Sequence, residues 1–253
     1  MLDHEYDTMR EVEDGYWWYQ VLHQITTNEI STLAAGRERL KLLDAGCGTG
    51  GTLAWIARSH PGFDLHGVDL SPLALEHTRR RGFENVMASS VETLPYPDDS
   101  FDGLISLDVL YHEGLDEEKA LAEFFRVLKP NGFLILNLPA FEMLRGRHDI
   151  AVGGARRYTA NQISDSMVRH GFRIGKIHYW NAWLFVPVLL WRRFTLLITR
   201  DDDSDVKSDL RPMAPFLSRA LRWIGLLDAK ISATLGLPFG TSVFSVALKG
   251  SPR

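Results

Sequence analysis

The stretch Leu42-Leu43-Asp44-Ala45-Gly46-Cys47-Gly48-Thr49-Gly50-Gly51 decides the fold of this 253-residue chain. An apolar run ends in Asp44, a glycine-rich turn follows, and apolar residues then recur with helical spacing over residues 53–57. The stretch therefore predicts a strand that leads through a tight turn into a helix. Glycines let a ligand approach the backbone closely, and the start of a helix offers unpaired N–H groups.

Two classes of cofactor compete for this turn. Gly46, Gly48 and Gly51 fit the weak pattern G-x-G-x-x-G, in which a nicotinamide dinucleotide places its pyrophosphate at the turn. Asp44 would then lie close to a doubly negative group. S-adenosyl-L-methionine (SAM) instead carries a sulfonium and an ammonium, which a nearby carboxylate stabilises. Asp44 therefore favours SAM, and an NAD-dependent oxidoreductase is the alternative.

Composition narrows the class of protein. The chain is 45% hydrophobic, carries a formal net charge of −4 and contains one cysteine, Cys47, which we interpret as a small filler in the turn. These numbers predict no nucleic-acid partner, no disulfide and no metal site. The acidic N-terminus does not resemble a secretory signal, so we expect a cytoplasmic protein.

Strand-like and helix-like segments alternate along most of the chain. This pattern predicts a single domain over residues 1–253, with a parallel sheet of Rossmann type and helices on both faces. The predicted strands are Lys41–Asp44, Asp64–Val68, Val86–Ala88, Phe101–Leu107, Phe133–Leu138, Phe172–His178 and Thr241–Leu248.

Four polar residues follow the predicted strand ends: Asp44, Asp69, Ser90 and Asp108. Ligands of such sheets bind beyond the carboxyl ends of the strands, so we expect these four residues to line one crevice. Asp69 is placed to accept both ribose hydroxyls of a nucleoside cofactor. That role is common to SAM and NAD and does not distinguish them.

The predicted SAM-binding core comprises residues 40–180 and 241–248, and three segments within or beside it are distinguished. Residues 1–36 form an aromatic cap, which either packs as a helix on the core or closes as a lid over the ligand. Residues 139–158 form a polar active-site loop. Residues 181–240 form an apolar helical insertion.

The apolar stretch Trp180–Trp191 is too short to span a bilayer, is interrupted by Pro187 and is followed by Arg192 and Arg193. Residues 180–200 could contact a membrane surface peripherally, at the inner face of the membrane, or the insertion could form an apolar acceptor pocket; a satellite core or a homodimer surface is the alternative. The aspartate-rich run 201–205 predicts a solvated loop.

Four blocks of sequence resemble the successive motifs of class I SAM-dependent methyltransferases. They occur in the family's order at residues 43–50, 67–71, 94–102 and 126–132. The resemblance implies a seven-stranded sheet with an antiparallel last strand, SAM as cofactor and S-adenosyl-L-homocysteine (SAH) as product. An inactive interaction protein on the same fold is a further alternative.

The resemblance also implies roles for single residues. Gly46, Gly48 and Gly50 would hold the methionine part of SAM, Asp69 the ribose, and Leu70 would flank the adenine. Ser90 stands where the family commonly has an aspartate that meets the adenine amine, so Ser90, the backbone N–H groups around Val91 or Glu92 would substitute. We place the remaining cofactor contacts at Asp44, Cys47, Thr49, Leu107 and His112.

A closer resemblance is to a bacterial subgroup that acts on glycans, lipids or specialised metabolites. It rests on Trp17-Trp18, His148-Asp149 and Arg156-Arg157-Tyr158-Thr159. It implies a small-molecule or lipid-linked acceptor. We assign acceptor contacts to Trp17, Trp18, Tyr111, His148, Arg156, Arg157 and Tyr158.

Methyl transfer is an in-line displacement at the sulfonium carbon, for which the protein mainly supplies alignment. Some oxygen and nitrogen acceptors also need a general base. His148 and His112 are the two candidates, and packing or loop hydrogen bonds are the alternative role of each. The pair Arg156-Arg157 could hold an anionic acceptor or pin the loop instead.

Overall fold

The computed structural model describes residues 3–198 and 213–250, with side chains described except at residues 3–5, 147–148 and 195–198. The described chain forms one seven-stranded sheet in the order β3-β2-β1-β4-β5-β7-β6. Its strands are β1 (Lys41–Ala45), β2 (Asp64–Asp69), β3 (Val86–Ala88), β4 (Phe101–Leu107), β5 (Leu128–Pro139), β6 (Phe172–Trp180) and β7 (Ser242–Lys249).

The sheet is mostly parallel. Strand β1 pairs in parallel with β2 and β4, and β4 pairs in parallel with β5. Strand β7 lies between β5 and β6 and is antiparallel to both. The predicted fold class, a Rossmann-like sheet with an antiparallel last strand, is confirmed.

The core lies on both faces of the sheet. Neighbouring residues of β1 point to opposite sides: Leu43 packs against α5 (Glu117–Val127) and α7 (Ala160–Arg169), whereas Leu42 faces α2 (Trp17–Ala34) and α3 (Gly51–Ser59). Both side chains are fully buried. Burial on both faces explains the continuous apolar run of β1.

The remaining helices are α1 (Asp3–Val12), α4 (Pro72–Arg80), α6 (Arg147–Ala151), α8 (Ala182–Ile198) and α9 (Pro215–Leu235). Helix α4 begins as its sequence predicts, because the Ser71 hydroxyl accepts a hydrogen bond from the backbone N–H of Ala74 and Pro72 occupies the first turn. Thr159 caps α7 in the same manner through a capping box with Gln162.

Two expectations about local structure are wrong. Strand β5 begins at Leu128 rather than Phe133, because Leu128 pairs with Phe101 of β4 and a register irregularity follows. Pro187 does not interrupt its segment: it lies inside α8, whose first N–H groups, at Ala182 and Trp183, are capped by the Asp228 carboxylate. The aspartate-rich run 201–205 lies outside the described residues.

Helix α9 packs with its small side chains inward. Its buried residues are Ser218, Gly225, Ala229 and Ser232, and a Cβ at Gly225 would lie 2.9 Å from a methyl of Val21 on α2. Several of its large apolar side chains point to solvent, with Phe216 75% and Trp223 70% exposed, whereas Leu221 and Leu226 pack against the core. Among the described helices, none is long and apolar enough to cross a membrane.

Candidate functional site

A cavity of about 930 Å³ opens beyond the carboxyl ends of β1, β2 and β4. Its floor is the glycine turn after β1, and its walls come from the N-terminal helices, the loops after β3 and β4, the 139–158 loop and α8. This is where an open parallel sheet binds its ligand, and the volume suits a cofactor together with a small second molecule.

The turn after β1 needs its glycines. The N–H groups of Gly46 and Cys47 both donate to the Val68 carbonyl, at 2.8 and 2.9 Å, which folds the turn back onto β2. Gly46 has a φ of +88°, and a Cβ there would collide with the side chain of Val109. The turn therefore brings bare backbone to the cavity wall.

Asp69 joins the turn after β1 to the segment after β2. Its carboxylate accepts hydrogen bonds from the backbone N–H groups of Gly48 and Ser71, both at 2.9 Å. The Tyr6 hydroxyl of α1 is 3.4 Å from the same carboxylate. Burial raises the pKa of Asp69 above its usual value, and the hydrogen bonds oppose that rise.

Asp44 and Glu13 add two more buried carboxylates to the same end of the cavity. Burial first, and then the charges of Asp69 and Glu13, raise the pKa of Asp44 to about 8. Burial also raises the pKa of Glu13. One oxygen of each, Oδ2 of Asp44 and Oε2 of Glu13, is buried without a hydrogen-bond partner among the described residues. Such a site favours a cationic ligand with N–H donors and disfavours a phosphate.

The N-terminal segment is fixed to the turn by Glu13. Its carboxylate accepts hydrogen bonds from the Thr49 hydroxyl and from Arg81, which also donates to the Thr49 carbonyl at 2.8 Å. The Met9 side chain of α1 lies against Gly48. Residues of the N-terminal segment therefore pack on the core and line the cavity, and closure of this segment as a lid over a ligand stays a prediction.

The residues expected at the adenine line one side of the cavity. Leu70 is 71% exposed, and Ser90 and Val91 lie beside it on the cavity wall. The Ser90 hydroxyl accepts the N–H of Glu92 at 3.1 Å, while the Glu92 carboxylate accepts the N–H of Asp116 at 2.7 Å. Ser90, Val91 and Glu92 all line the cavity, and their contact with the adenine stays a prediction.

Asp108 stands at the end of β4 in a strained conformation, with a φ of +54°. The Asn137 amide donates to both of its oxygens, at 3.1 and 2.9 Å, and Asn137 accepts in turn from the Trp180 indole N–H at 2.8 Å. Burial raises the pKa of Asp108 to about 7. A strained, buried carboxyl that titrates near neutrality is typical of a functional position.

His112 lines the cavity next to Tyr111, whose ring it stacks on at 4.4 Å between centroids. Its Nδ1 is 3.4 Å from the Gly153 carbonyl. A carbonyl only accepts, so this contact assigns the proton of a neutral ring to Nδ1 and leaves Nε2 as the basic nitrogen. Burial lowers the pKa of His112, which keeps the ring neutral at pH 7.

An ionic cluster also lines the cavity. Asp149 accepts from Arg157 at 2.7 Å and from Arg192 of α8 at 3.0 Å, and the N–H of Gly146 reaches it at 2.8 Å. The Asp149, Arg157 and Arg192 side chains are largely buried, and all three residues line the cavity. Trp17, Trp18 and Tyr111 line the same cavity.

Four of the expected contact residues do not reach the cavity wall. Thr49 is buried against Glu13, and Gly50 caps α3 and packs against Thr78. Arg156 donates to the carbonyls of Leu110 and Leu115, so its role is to pin the loop.

Tyr158 is the fourth expected contact residue that does not line the cavity. It is buried, and its hydroxyl lies 3.0 Å from the Leu110 carbonyl and 2.8 Å from the Glu117 carboxylate, either of which can accept its proton. His148 belongs to α6, but its side chain lies outside the described part, so its catalytic and acceptor roles stay predictions.

Sequence reasoning missed several residues of the cavity. Glu13, His23 and Tyr6 come from the N-terminal cap, and Arg192 comes from the insertion. Glu13 is one of several acidic residues near the N-terminus, and nothing in the sequence around it indicates that its side chain is buried. Burial lowers the pKa of His23 to about 3, so this ring stays neutral.

Comparison with known proteins gives the family. A model described as a methyltransferase domain matches residues 43–136. A malonyl-[acyl-carrier protein] O-methyltransferase of Halorhodospira halophila is 30% identical over 198 residues, which cover 74% of this chain and 62% of that protein. The chain covers 38%, 69% and 36% of three other curated relatives that it matches.

Solved structures agree on the fold. Phosphoethanolamine N-methyltransferase 2 of Haemonchus contortus, solved with SAM, superposes with a TM-score of 0.58 at 21% identity over 92% of this chain and 53% of its own. The [4+2]-cyclase SpnF superposes with a TM-score of 0.60 at 22% identity over 94% and 87% of the two chains.

The fold and the carboxylate-lined glycine turn define a Rossmann-like nucleoside-binding protein. With the motif order and the match over residues 43–136, this chain contains a methyltransferase domain of the class I SAM-dependent type, whose cofactor is SAM. The resemblance found in the sequence is confirmed at this level, and the closer one to the bacterial subgroup stays a prediction.

Proposed function

We propose that this protein transfers the methyl group of SAM to a small-molecule or lipid- or glycan-linked acceptor. The observation that carries the proposal is the set of buried carboxylates Glu13, Asp44 and Asp69 around the glycine turn, two of them with an unpartnered oxygen among the described residues. A sulfonium and an ammonium would relieve the cost of burying these charges, whereas the pyrophosphate of NAD would increase it.

Different residues of the cavity wall would contact different parts of the cofactor. Asp69 would accept the ribose hydroxyls, Gly46 and Gly48 would present backbone to the methionine part, and Asp44 would face its positive charge. Leu70, Ser90, Val91 and Leu107 would enclose the adenine and its ribose. SAM supplies an activated methyl carbon, so the protein has to align the acceptor and exclude water.

Asp108 and His112 are the groups placed to take a proton from the acceptor. Both line the cavity, and both are held by fixed partners, Asn137 and the Gly153 carbonyl respectively. Asp108→Asn should lower methyl transfer from labelled SAM to a bacterial metabolite and lipid extract at least ~100-fold if Asp108 is the base. A loss with His112→Gln and none with Asp108→Asn would assign the role to His112.

Calorimetry with SAM, SAH and NAD tests the proposal directly. We expect SAM and SAH to bind with one site per chain and NAD not to compete with them. Binding of NAD with no binding of SAM or SAH would make the protein an oxidoreductase. Binding of SAH without methyl transfer to any fraction of the extract would make it an interaction protein, and the likeness to a cyclase shows that the fold alone does not fix the reaction.

We also propose peripheral contact with an anionic membrane surface, through α8 and α9, for an otherwise cytoplasmic protein. The outward side chains of α9 are apolar, as described above, and the exposed charges between them include Arg219 and Lys230. On α8, Leu190 and Trp191 are exposed next to Arg193. Apolar and aromatic side chains flanked by cations are typical of helices that lie in a membrane interface. A homodimer through this face is the alternative outcome.

A further inference from the structure

Asp108 lines the cavity and is held in place by one residue of the neighbouring strand β5. Its backbone N–H donates to the Asn137 carbonyl at 2.8 Å, and its two carboxylate oxygens accept from the Asn137 side-chain amide at 3.1 and 2.9 Å. The backbone and the side chain of Asp108 are therefore fixed together. Because one amide nitrogen serves both oxygens, each oxygen keeps a lone pair for a further donor.

An asparagine amide can pair with either form of a carboxyl group. Its NH₂ group donates to a charged carboxylate, whereas its carbonyl oxygen accepts from a protonated carboxyl group when the amide is turned over. The two orientations of the Asn137 amide therefore favour opposite protonation states of Asp108. A contact on the other side of the amide has to select one of them.

The indole of Trp180 makes that selection. Its N–H lies 2.8 Å from Oδ1 of Asn137, and since an indole N–H only donates, Oδ1 has to face Trp180 and the NH₂ group has to face Asp108. Asn137 and Trp180 are both fully buried, so bulk water does not compete for these bonds. Trp180 is itself fixed, because its ring stacks on Trp18 at 5.8 Å between centroids and its carbonyl accepts the N–H of Thr241 at 3.0 Å.

We propose that Asn137 and Trp180 are positioning residues that keep Asp108 as a charged proton acceptor directed into the cavity. This inference rests on the proposed function, because it concerns a group that would take a proton from the acceptor. Asn137 acts through Asp108, and Trp180 acts through Asn137. The proton of an acceptor hydroxyl or amine would pass to an oxygen of Asp108 that has a free lone pair.

The other groups around Asp108 contribute fixed charges. Burial raises the pKa of Asp108, and the hydrogen bond from Asn137 and the charge of Arg157 lower it. Burial also raises the pKa of Tyr111 and lowers that of His112, so both rings are uncharged at pH 7. A substitution that removes only the indole N–H leaves all of these groups in place, so its effect on Asp108 reports on the hydrogen-bond chain.

Carboxyl NMR of the free protein tests the inference without an acceptor. With ¹³C in the aspartate side-chain carboxyl groups, the signal that is missing in Asp108→Asn belongs to Asp108, and its titration gives the pKa. Trp180→Phe keeps an aromatic ring and removes the N–H, so we expect the pKa of Asp108 to rise by about 1. Asn137→Leu removes the donor itself and should raise the pKa at least as far.

Trp183→Phe is the matched control. The indole nitrogen of Trp183 is buried and has no hydrogen-bond partner in the part of the chain that the structure describes, so the same substitution removes no bond there. The pKa of Asp108 should stay unchanged. An equal rise in Trp180→Phe and Trp183→Phe would overturn the inference, and so would the absence of a rise in Trp180→Phe and Asn137→Leu.

The pH profile of methyl transfer to the extract separates positioning from packing. In Trp180→Phe, the acid limb of the profile should move to higher pH by as much as the titration of Asp108 does, while the rate above about pH 9 stays within about twofold of the original. A rate that falls equally at every pH would overturn the inference. Binding of SAH is measured in parallel, and its failure would refute the proposed function without changing the result of the titration.

Discussion

The two ends of the cavity differ in charge because they are built from different parts of the chain. At the acidic end, Asp44 and Asp69 each lie at or near the end of a strand and the glycine turn follows the first of these strands directly, while Glu13 comes from the N-terminal segment. The basic end joins residues from the 139–158 loop and α8, with Asp149 and Arg192 43 positions apart. The residues that would hold the cofactor and the residues that would select the acceptor therefore come from different segments of the chain.

The two ends also differ in how they balance their charges. At the acidic end, burial raises the pKa values of three carboxylates, and backbone N–H groups and Arg81 only partly offset that rise. At the basic end, hydrogen bonds and the charges of Arg157 and Arg192 outweigh burial, and the pKa of Asp149 falls. The acidic end therefore favours a ligand with a positive charge.

The largest effect on the acidic end should come from replacing a glycine of its turn with a residue that has a Cβ. Gly46→Ala places a Cβ against Val109 at a φ of +88°, so we expect a loss of about 3 kcal/mol in the free energy of unfolding, from strain and overpacking together. Urea denaturation measures it. Gly82→Ala is the matched control: its φ is +95°, but a Cβ there meets nothing within 4 Å, so about 1 kcal/mol is expected. Equal losses of stability in the two variants would show that the contact between a Cβ at position 46 and Val109 does not contribute to the destabilisation.

Removing the ribose acceptor should have the next largest effect. Asp69→Ala takes away the carboxylate proposed to hold both ribose hydroxyls, and we expect the affinity for SAH to fall about 100-fold, or roughly 2.7 kcal/mol. Calorimetry measures it, with the melting temperature checked in parallel because Asp69 also holds Gly48 and Ser71. Asp64→Asn, at the exposed start of the same strand, should leave the affinity unchanged. A change of less than about threefold in Asp69→Ala would remove Asp69 from the site.

Much of the acidic end and of the sheet is legible in the sequence, because local signals determine both. The bounds of β3 and β4 agree with the prediction, and so do the caps of α4 and α7. Strand β5 shows the limit: Pro130 and Gly132 indicate a turn, but pairing of Leu128 with β4 extends the strand through them. Tertiary pairing outweighs local propensity there.

The sequence predicts only part of the basic end. The Arg-Arg-Tyr segment is visible, yet the sequence does not say which arginine faces the cavity, and the two neighbours Arg156 and Arg157 point to different partners. Arg192 looks like a flank of an apolar segment, and only the packing of α8 across the cavity brings it to Asp149. Contacts between distant segments that depend on helix orientation leave no spacing pattern to find.

The pH dependence of cofactor binding should distinguish the two ends further. The pKa of Asp44 is raised to about 8 without ligand, so the carboxyl is protonated at pH ~6, and a cationic ligand should drive its proton off. The affinity for SAM should therefore rise with pH between about 5 and 8, by at most ~10-fold per pH unit for one proton released. Calorimetry in two buffers of different ionisation enthalpy measures the released proton.

The same shift predicts the stability of the free protein. A carboxyl whose pKa is raised on folding binds more protons in the folded state, so the free energy of unfolding should fall as pH rises from about 4 to 8. Asp44→Asn cannot release this proton and should flatten both dependences. SAH lacks the sulfonium and should show a weaker dependence than SAM. An affinity for SAM that falls as pH rises would contradict the charge assigned to this end.

The smallest effect concerns the face of the molecule outside the cavity. Trp223 is exposed on α9, so Trp223→Glu should leave the free energy of unfolding within about 0.5 kcal/mol of the original, since it removes little buried contact. On vesicles containing anionic lipids, the same change should weaken co-sedimentation severalfold, because a carboxylate replaces an aromatic anchor at an anionic surface.

The matched control places the same new charge on a different helix. Val168 is exposed on α7, which packs on the other face of the sheet from α9, so Val168→Glu should leave co-sedimentation unchanged. Binding to vesicles that persists in Trp223→Glu would exclude the outer face of α9 as the contact. A mass in solution that falls from dimer to monomer in Trp223→Glu would show that this face joins two copies of the chain, and the large outward side chains of α9 would then be the buried core of that interface.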